Sequence, residues 1–173
     1  RTTEALSEGL LWADEQKLPV TLIGAGSNLL ISDSGLQGLV ICTRHLRGIQ
    51  FDQESTQVTA AAGEPVARLA MLAAGYGWQG FEWAVGIPGT VGGLVVMNAG
   101  AQGGCAADCI TEVQLVSLTG QLKLLYPQDL HFRYRHSALQ DSDYIVTGAT
   151  LKLQGGGDPQ AIAADTEAKL IAR

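Results

Sequence analysis

An α+β domain of close-packed layers is what this sequence predicts, on three observations. Segments with helical apolar spacing, near residues 4–16 and 64–74, alternate with short β-branched runs bounded by turn residues. Glycine is abundant at 22 residues while aromatics make up only 6%, which suits layers that approach closely. Two glycine loops are attached to apolar runs instead of serine-rich ones, so they read as packed backbone and not as slack connections.

Composition bounds the rest. At 173 residues and 46% hydrophobic content the chain is one large domain or two small ones with a real core. The formal net charge of −6, from 11 Lys+Arg against 17 Asp+Glu, argues against nucleic-acid or acidic-membrane partners. No apolar run approaches the ~18 residues of a membrane span. Cys42, Cys105 and Cys109 are odd in number, which predicts free thiols in a reducing, cytoplasmic compartment. The first residue is Arg1, leading straight into a helical pattern, so material upstream is expected to have been removed.

In order, Thr2 or Thr3 caps a helix over 4–16, with Leu6, Leu10 and Leu11 on one stripe and Pro19 as its stop. Val20–Ile23 reads as a buried strand opening into Gly24-Ala25-Gly26-Ser27-Asn28-Leu29-Leu30. Glycines for backbone approach, then a hydroxyl and an amide, suit a phosphate group. The loop is neither a dinucleotide fingerprint, since Leu29 stands where a third glycine is required, nor a Walker loop, since no lysine follows. Leu29–Ile31 reads as a further strand, as do 38–42, 49–51 and 57–63. Glu64-Pro65 opens a helix to Ala74 that Gly75 and Gly77 end.

Trp78, Phe81 and Trp83 are expected in the core, just before Gly86-Ile87-Pro88-Gly89-Thr90-Val91-Gly92-Gly93. Pro88 stiffens that loop, and its four glycines let main-chain N–H groups reach a flat or anionic ligand. A tight turn between buried strands is the alternative reading. Cys105 and Cys109 would share a face if helical, but a metal site needs further ligands and no histidine lies near them in sequence. Segments 112–118 and 121–125 form a hairpin over Thr119-Gly120. Pro127–Leu130 is one helical turn. If Phe132–Ser137 is extended, Arg133 and Arg135 share a face, and one of them points toward an anion. A closing strand covers 143–153, Gly155–Gly157 is a linker, and a last helix runs to Arg173.

Four motifs in this order carry a resemblance over nearly the whole chain: Gly-Ala-Gly-Ser-Asn-Leu-Leu at 24–30, Ala-Gly-Glu-Pro at 62–65, Gly-Ile-Pro-Gly-Thr-Val-Gly-Gly at 86–93 running into Met-Asn-Ala-Gly-Ala at 97–101, and Tyr-Arg-His-Ser at 134–137. The set closely resembles the UDP-N-acetylenolpyruvoylglucosamine reductase family of peptidoglycan precursor synthesis. The resemblance implies the FAD-binding fold of the vanillyl-alcohol-oxidase type, two α/β subdomains with the flavin between them, here about 1–62 and 63–153. Residues 154–173 would then be a linker and helix leading toward a substrate-binding domain that the chain lacks, and a first strand before Arg1 would be lacking too.

By the same resemblance Gly24, Ala25, Gly26, Ser27, Asn28 and Leu29 cradle the pyrophosphate, while Gly86, Ile87, Pro88, Gly89, Thr90, Gly92 and Gly93 run along pyrophosphate and flavin. The backbone near Gly63 and Ile145 lines the same cleft. With no histidine in 24–30, FAD is expected to be noncovalent. NADPH is the implied reductant and the nucleotide sugar UDP-N-acetylglucosamine enolpyruvate the implied substrate, with no metal, membrane or nucleic acid taking part. Arg135 matches the family's catalytic arginine, and Tyr134, Arg135 and Asn98 are expected at the substrate. The family's general-acid serine and a later glutamate belong to a domain absent here, so the chain is expected to be inactive alone; Ser137 is not that serine. Gln102 stands where many members have tyrosine. Two rivals remain: another FAD oxidoreductase of the same fold acting on an alcohol or a lactone, and a noncatalytic flavin-binding module.

Overall fold

A computed structural model describes residues 2–171. Helix α1, Thr3–Glu15, starts where expected because the Thr2 hydroxyl accepts from the Ala5 N–H at 3.2 Å. Its buried residues are Leu6, Leu10 and Ala13, one stripe at i, i+4 and i+7, while Leu11 is exposed. Strands β1 (Val20–Ile23) and β2 (Leu39–Cys42) pair in parallel, and the connection between them carries the first glycine loop. The strand expected at Leu29–Ile31 is not there. Nothing pairs with it, Leu30 is fully exposed, and bonds among Ser32, Ser34 and Gly35 close a local turn directly after it.

The second sheet is antiparallel, in the order β3 (Ile49–Asp52), β4 (Gln57–Ala61), β9 (Tyr144–Lys152), β7 (Ile110–Ser117) and β8 (Leu122–Leu125). Strand β9 is buried from Ile145 to Leu151 because it lies in the middle with both faces covered. Since β3 and β4 belong to this sheet, the first sheet ends at Cys42 and the second begins at Ile49. The hairpin over Thr119-Gly120 forms as its alternation predicts.

Helices α2 (Val66–Gly75) and α3 (Val91–Val96) contribute Val66, Leu69, Val91 and Leu94 to the core that covers one side of the sheet, and the small residues of the strands let α3 come close. A Cβ on Gly92 would already lie 3.1 Å from that of Ala62. The run after the second glycine loop is therefore a short helix. Trp78, Phe81 and Trp83 are buried as expected, each such ring contributing about 2–3 kcal/mol of apolar transfer free energy. A smaller cluster of Leu6, Leu10, Leu46, Val116 and Ile145 joins α1 and the first sheet to the second.

Cys105 and Cys109 do not share a helix. Strands β5 (Gly100–Ala101) and β6 (Gly104–Cys105) make a small hairpin, Asp108 caps the Cys105 N–H at 2.8 Å, and the chain completes only a 3₁₀ turn, Ala106–Asp108, before Cys109. The helical turn at Pro127–Leu130 is present as α4. The glycine segment 155–157 is docked and not slack: Gln154 and Gln79 exchange main-chain bonds of 2.7 and 3.1 Å, and Gly157 N–H donates to Gly77 O at 3.0 Å. Beyond it α5, Pro159–Ile171, packs on α2 and on the 3₁₀ turn Glu82–Gly86, burying Ile162 and Thr166. The expected helix end at Arg173, like Arg1, lies outside the described residues.

Candidate functional site

The two glycine loops meet. Ser27 Oγ donates to Pro88 O at 3.0 Å, a Cβ on Gly24 would sit 2.9 Å from Thr90 Oγ1, and a Cβ on Gly89 would sit 3.2 Å from Ser27 Oγ. Gly26 takes φ +78° and Gly89 φ +132°, turns that only glycine makes freely. Among the described residues, no main-chain N–H from Gly24 to Asn28, nor those of Gly89 and Thr90, donates to a protein acceptor. Such an array of unpaired donors on two touching loops is built for an anion. The second loop is fastened from below, because Gly92 N–H donates to Ala62 O, Val91 N–H to Glu64 O and Val66 N–H to Gly89 O.

Gly63 lies in that foundation. Its N–H donates to Leu46 O at 2.9 Å, and a Cβ there would be 2.2 Å from Thr43 O and 2.5 Å from Leu46 O. The backbone entering Gly63 adjoins the strand that carries Ile145, since Ala62 N–H donates to Thr147 O at 2.8 Å, while the Ile145 side chain is buried in the cluster with Leu6, Leu10 and Val116. Next to Gly63, the carboxylate of Glu64 is buried, at 2% exposure, and accepts from Gly48 N–H at 2.9 Å, Arg68 at 2.9 Å and Arg47 at 3.4 Å. Sequence reasoning read Glu64 only as a helix start. The signal it missed is a carboxylate in an apolar stretch with arginine four residues on. A surface concavity of about 590 Å³ beside it is lined by Arg47, Phe51, Arg68 and Tyr76, and it contains none of the expected cofactor residues.

At the far end of α3 lies the arginine segment. The extended form in which Arg133 and Arg135 would share a face is not the one adopted: Arg133 and His136 exchange main-chain bonds of 3.0 and 3.1 Å, closing a tight turn with Tyr134 and Arg135 at its tip. Arg135 adopts φ +54°, a left-handed backbone that costs an ordinary residue about 1 kcal/mol, so Arg133 and Arg135 do not share a face. Arg135 Nη2 donates to Gly100 O at 2.7 Å, and its guanidinium lies 5.4 Å from the ring of Tyr134, which is 89% exposed. The other guanidinium N–H groups of Arg135 bond to no described residue.

Asn98 is buried beneath this turn. Its amide donates to Arg133 O at 2.9 Å and accepts from Ala107 N–H at 3.0 Å, so it holds main chain together. Ser137 is fully buried and donates to Val96 O at 2.7 Å. Gln102 reaches α5, donating to Lys169 O at 3.1 Å. Helix α3 thus separates the paired loops from the Arg135 turn by six residues, about 9 Å of axial rise.

Cys105 and Cys109 offer no ready nucleophile, whereas the Cys42 thiol is exposed. Burial, then the charges of Asp108 and Cys105, pushes the Cys109 thiol up to about 12, and burial followed by Asp108 also raises Cys105. Among the described residues, no group of three or more His, Cys, Asp or Glu side chains converges as a metal would require, and no helix is long and apolar enough to cross a membrane.

Comparison with known proteins agrees with this geometry. A UDP-N-acetylenolpyruvoylglucosamine reductase of Trichormus variabilis is 55% identical over 166 residues, which cover 96% of this chain and 50% of the relative. The crystal structure of the reductase of that name from Thermus caldophilus superposes with a TM-score of 0.79 at 32% identity, over 96% of this chain and 59% of that one. The chain spans about half the length of the curated relatives it matches. The 6-hydroxy-D-nicotine oxidase of Arthrobacter nicotinovorans, at 19% identity and a TM-score of 0.68 over 89% of this chain and 35% of its own, shares the fold alone. The fold is the vanillyl-alcohol-oxidase type expected from the motifs. A family model described as FAD binding domain matches residues 1–125, and the chain belongs to that family.

Proposed function

We propose that this chain is the FAD-binding part of an NADPH-dependent reductase that converts UDP-N-acetylglucosamine enolpyruvate to UDP-N-acetylmuramate in the cytoplasm, with FAD held noncovalently. The observation that carries the reading is the pair of glycine loops, touching through Ser27 and Pro88 with their N–H groups unpaired, at one end of α3, with Arg135 at the other. Unpaired donors from Gly24 to Asn28 fit the pyrophosphate of a dinucleotide, an anion that backbone N–H groups can hold without a cationic side chain. The 55% identity to a reductase of this name supports the choice of reaction.

Bound FAD would carry hydride from NADPH to the enolpyruvyl double bond. The chain's own contribution is to hold that group and to fix a cation. Hydride delivery builds negative charge on the carboxylate side of the substrate. The Arg135 guanidinium, oriented by its one bond to Gly100 O, has the remaining N–H groups for that charge, a stabilisation that grows toward the transition state. Ser137, buried and donating to Val96 O, holds the turn and supplies no proton.

The test is the absorption spectrum of the purified chain after FAD addition and desalting, then after anaerobic NADPH. Retained flavin that bleaches supports the reading; in the complete reductase, Arg135→Ala should slow flavin reoxidation by the enolpyruvyl sugar about 10²-fold. Retained flavin that the complete enzyme cannot pass on to that sugar would refute the substrate and leave a flavin-binding module.

A further inference from the structure

Gln140 stands outside every motif, yet its amide meets the Arg135 turn at two points. Its Nε2 donates to Arg135 O at 3.1 Å and lies 3.2 Å from Met97 Sδ, while its Oε1 lies 2.9 Å from His136 Nδ1. The polarity of this set is fixed by chemistry. A carbonyl only accepts, so the NH₂ end of the amide faces Arg135 O; the oxygen end then accepts, so His136 Nδ1 carries the proton. One side chain therefore grips the carbonyl of Arg135 and the ring of the next residue, on a turn whose tip is in the left-handed region.

The other tethers act on different atoms. Asn98 holds Arg133 O, Gly100 O holds the guanidinium, and Ser137 anchors the exit on Val96. None of them acts on the carbonyl of the peptide that follows Arg135; the N–H of that peptide, from His136, is held by Arg133 O at 3.1 Å, and its carbonyl is left to Gln140. A left-handed residue relaxes by rotating about φ and ψ, and that rotation swings its carbonyl first. Gln140 grips that carbonyl.

We propose that Gln140 is a positioning residue for Arg135: it locks the strained turn so that the guanidinium is already aimed when an anionic substrate arrives. The proposal rests on the functional reading above for what Arg135 acts upon. It does not rest on it for the clamp itself.

Two variants test it. Gln140→Leu removes every polar contact of the amide, and Gln140→Glu keeps an acceptor for His136 while removing the donor to Arg135 O. Because Gln140 is exposed, neither is expected to move the thermal midpoint by more than ~2 °C. Native-state trypsin cleavage after Arg135 tracks opening of the turn, and it should rise about fivefold in both variants, the effect of losing one net hydrogen bond. In the complete reductase, flavin reduction by NADPH should be unchanged, whereas reoxidation by the enolpyruvyl sugar should slow about tenfold, mainly in kcat.

Cleavage and reoxidation both at the parent rate would overturn the proposal. So would an equal fall in both half-reactions, since general loosening does that and a misaimed Arg135 does not. If the parent enzyme itself does not accept the enolpyruvyl sugar, the functional reading has failed, and the trypsin rates alone decide for or against the clamp.

Discussion

Gly63→Ala should damage this protein more than its single methyl suggests. The new Cβ would stand 2.2 Å from Thr43 O, 2.5 Å from Leu46 O and 2.9 Å from Arg44 C, and all three are main chain. An ordinary carbon contact lies beyond 3 Å, so the backbone must retreat by roughly 1 Å, with no flexible side chain to absorb the change. Overpacking of this kind costs about 1–3 kcal/mol, and loss of the 2.9 Å bond from Gly63 N–H to Leu46 O adds about 1 kcal/mol. Against a total stability of about 5–15 kcal/mol, a loss of roughly 2–4 kcal/mol leaves a folded but weakened chain. With a urea m-value near 2 kcal/mol/M, the midpoint should fall by about 1–2 M. Gly9→Ala in α1 is the control, because nothing lies within 4 Å of its Cβ position. Alanine there should raise the midpoint by a few tenths molar. A Gly63→Ala midpoint within ~0.3 M of the parent would refute the contact argument. A retained stability with lost flavin would instead show that the strain is taken up in the loops.

Glu64→Ala should cost on the order of 1–3 kcal/mol in the same urea titration, less than a fully enclosed ion pair, because the side chains of Arg47 and Arg68 are 43% and 58% exposed and regain water. An unchanged midpoint would mean that this carboxylate is not what holds Gly48 and the two arginines. Cys109 ties stability to alkaline pH: its thiol is pushed up to about 12 when folded against a free value of 9.0, so above pH 9 the native state keeps a proton that the unfolded chain releases. Stability is then intact below pH 9 and falls as pH rises toward 12, by at most ~1.4 kcal/mol per unit. A flat stability profile across that window would contradict it. Alkylation at pH 8 followed by mass spectrometry should label exposed Cys42 first and Cys109 only on unfolding; equal rates would sink the assignment.

What the sequence revealed and what it hid follow from the range of the forces involved. Helix α1 was legible because Thr2, Leu6, Leu10 and Pro19 act within a few residues of one another, and the hairpin over Thr119-Gly120 for the same reason. The alternation Phe132-Arg133-Tyr134-Arg135 reads as period two, but bonds from Asn98 and Gln140, distant in sequence or outside the pattern, fold it into a turn. Gly155–Gly157 has the composition of a linker, yet it packs so closely that a Cβ on Gly155 would meet Thr56 Cγ2 at 2.7 Å and one on Gly157 would meet Ile162 Cδ1 at 2.5 Å. Glycine and proline chemistry raised a cradle as one reading of the glycine loops, with a tight turn as the alternative for the second. That Ser27 touches Pro88 across 61 residues of chain was not legible, and neither was the assignment of β3 and β4 to the second sheet, since pairing over such distances leaves no local mark.

The middle strand of the large sheet is the last of its five strands to be synthesised. Ala60 pairs with Ala149, and Val116 with Ile145, so the β3–β4 hairpin and the β7–β8 hairpin have no common neighbour until β9 has left the ribosome. At about 5–20 residues per second, the inward faces of Val58, Ala60, Val113 and Leu115 stay uncovered for several seconds of translation. The open edges of β4 and β7 are then free to pair with other nascent chains. Nor can α1 lock early, because its Leu6 and Leu10 pack against Val116 and Ile145. Synthesis order therefore leaves the large sheet to close in one late, long-range step, when β9 emerges.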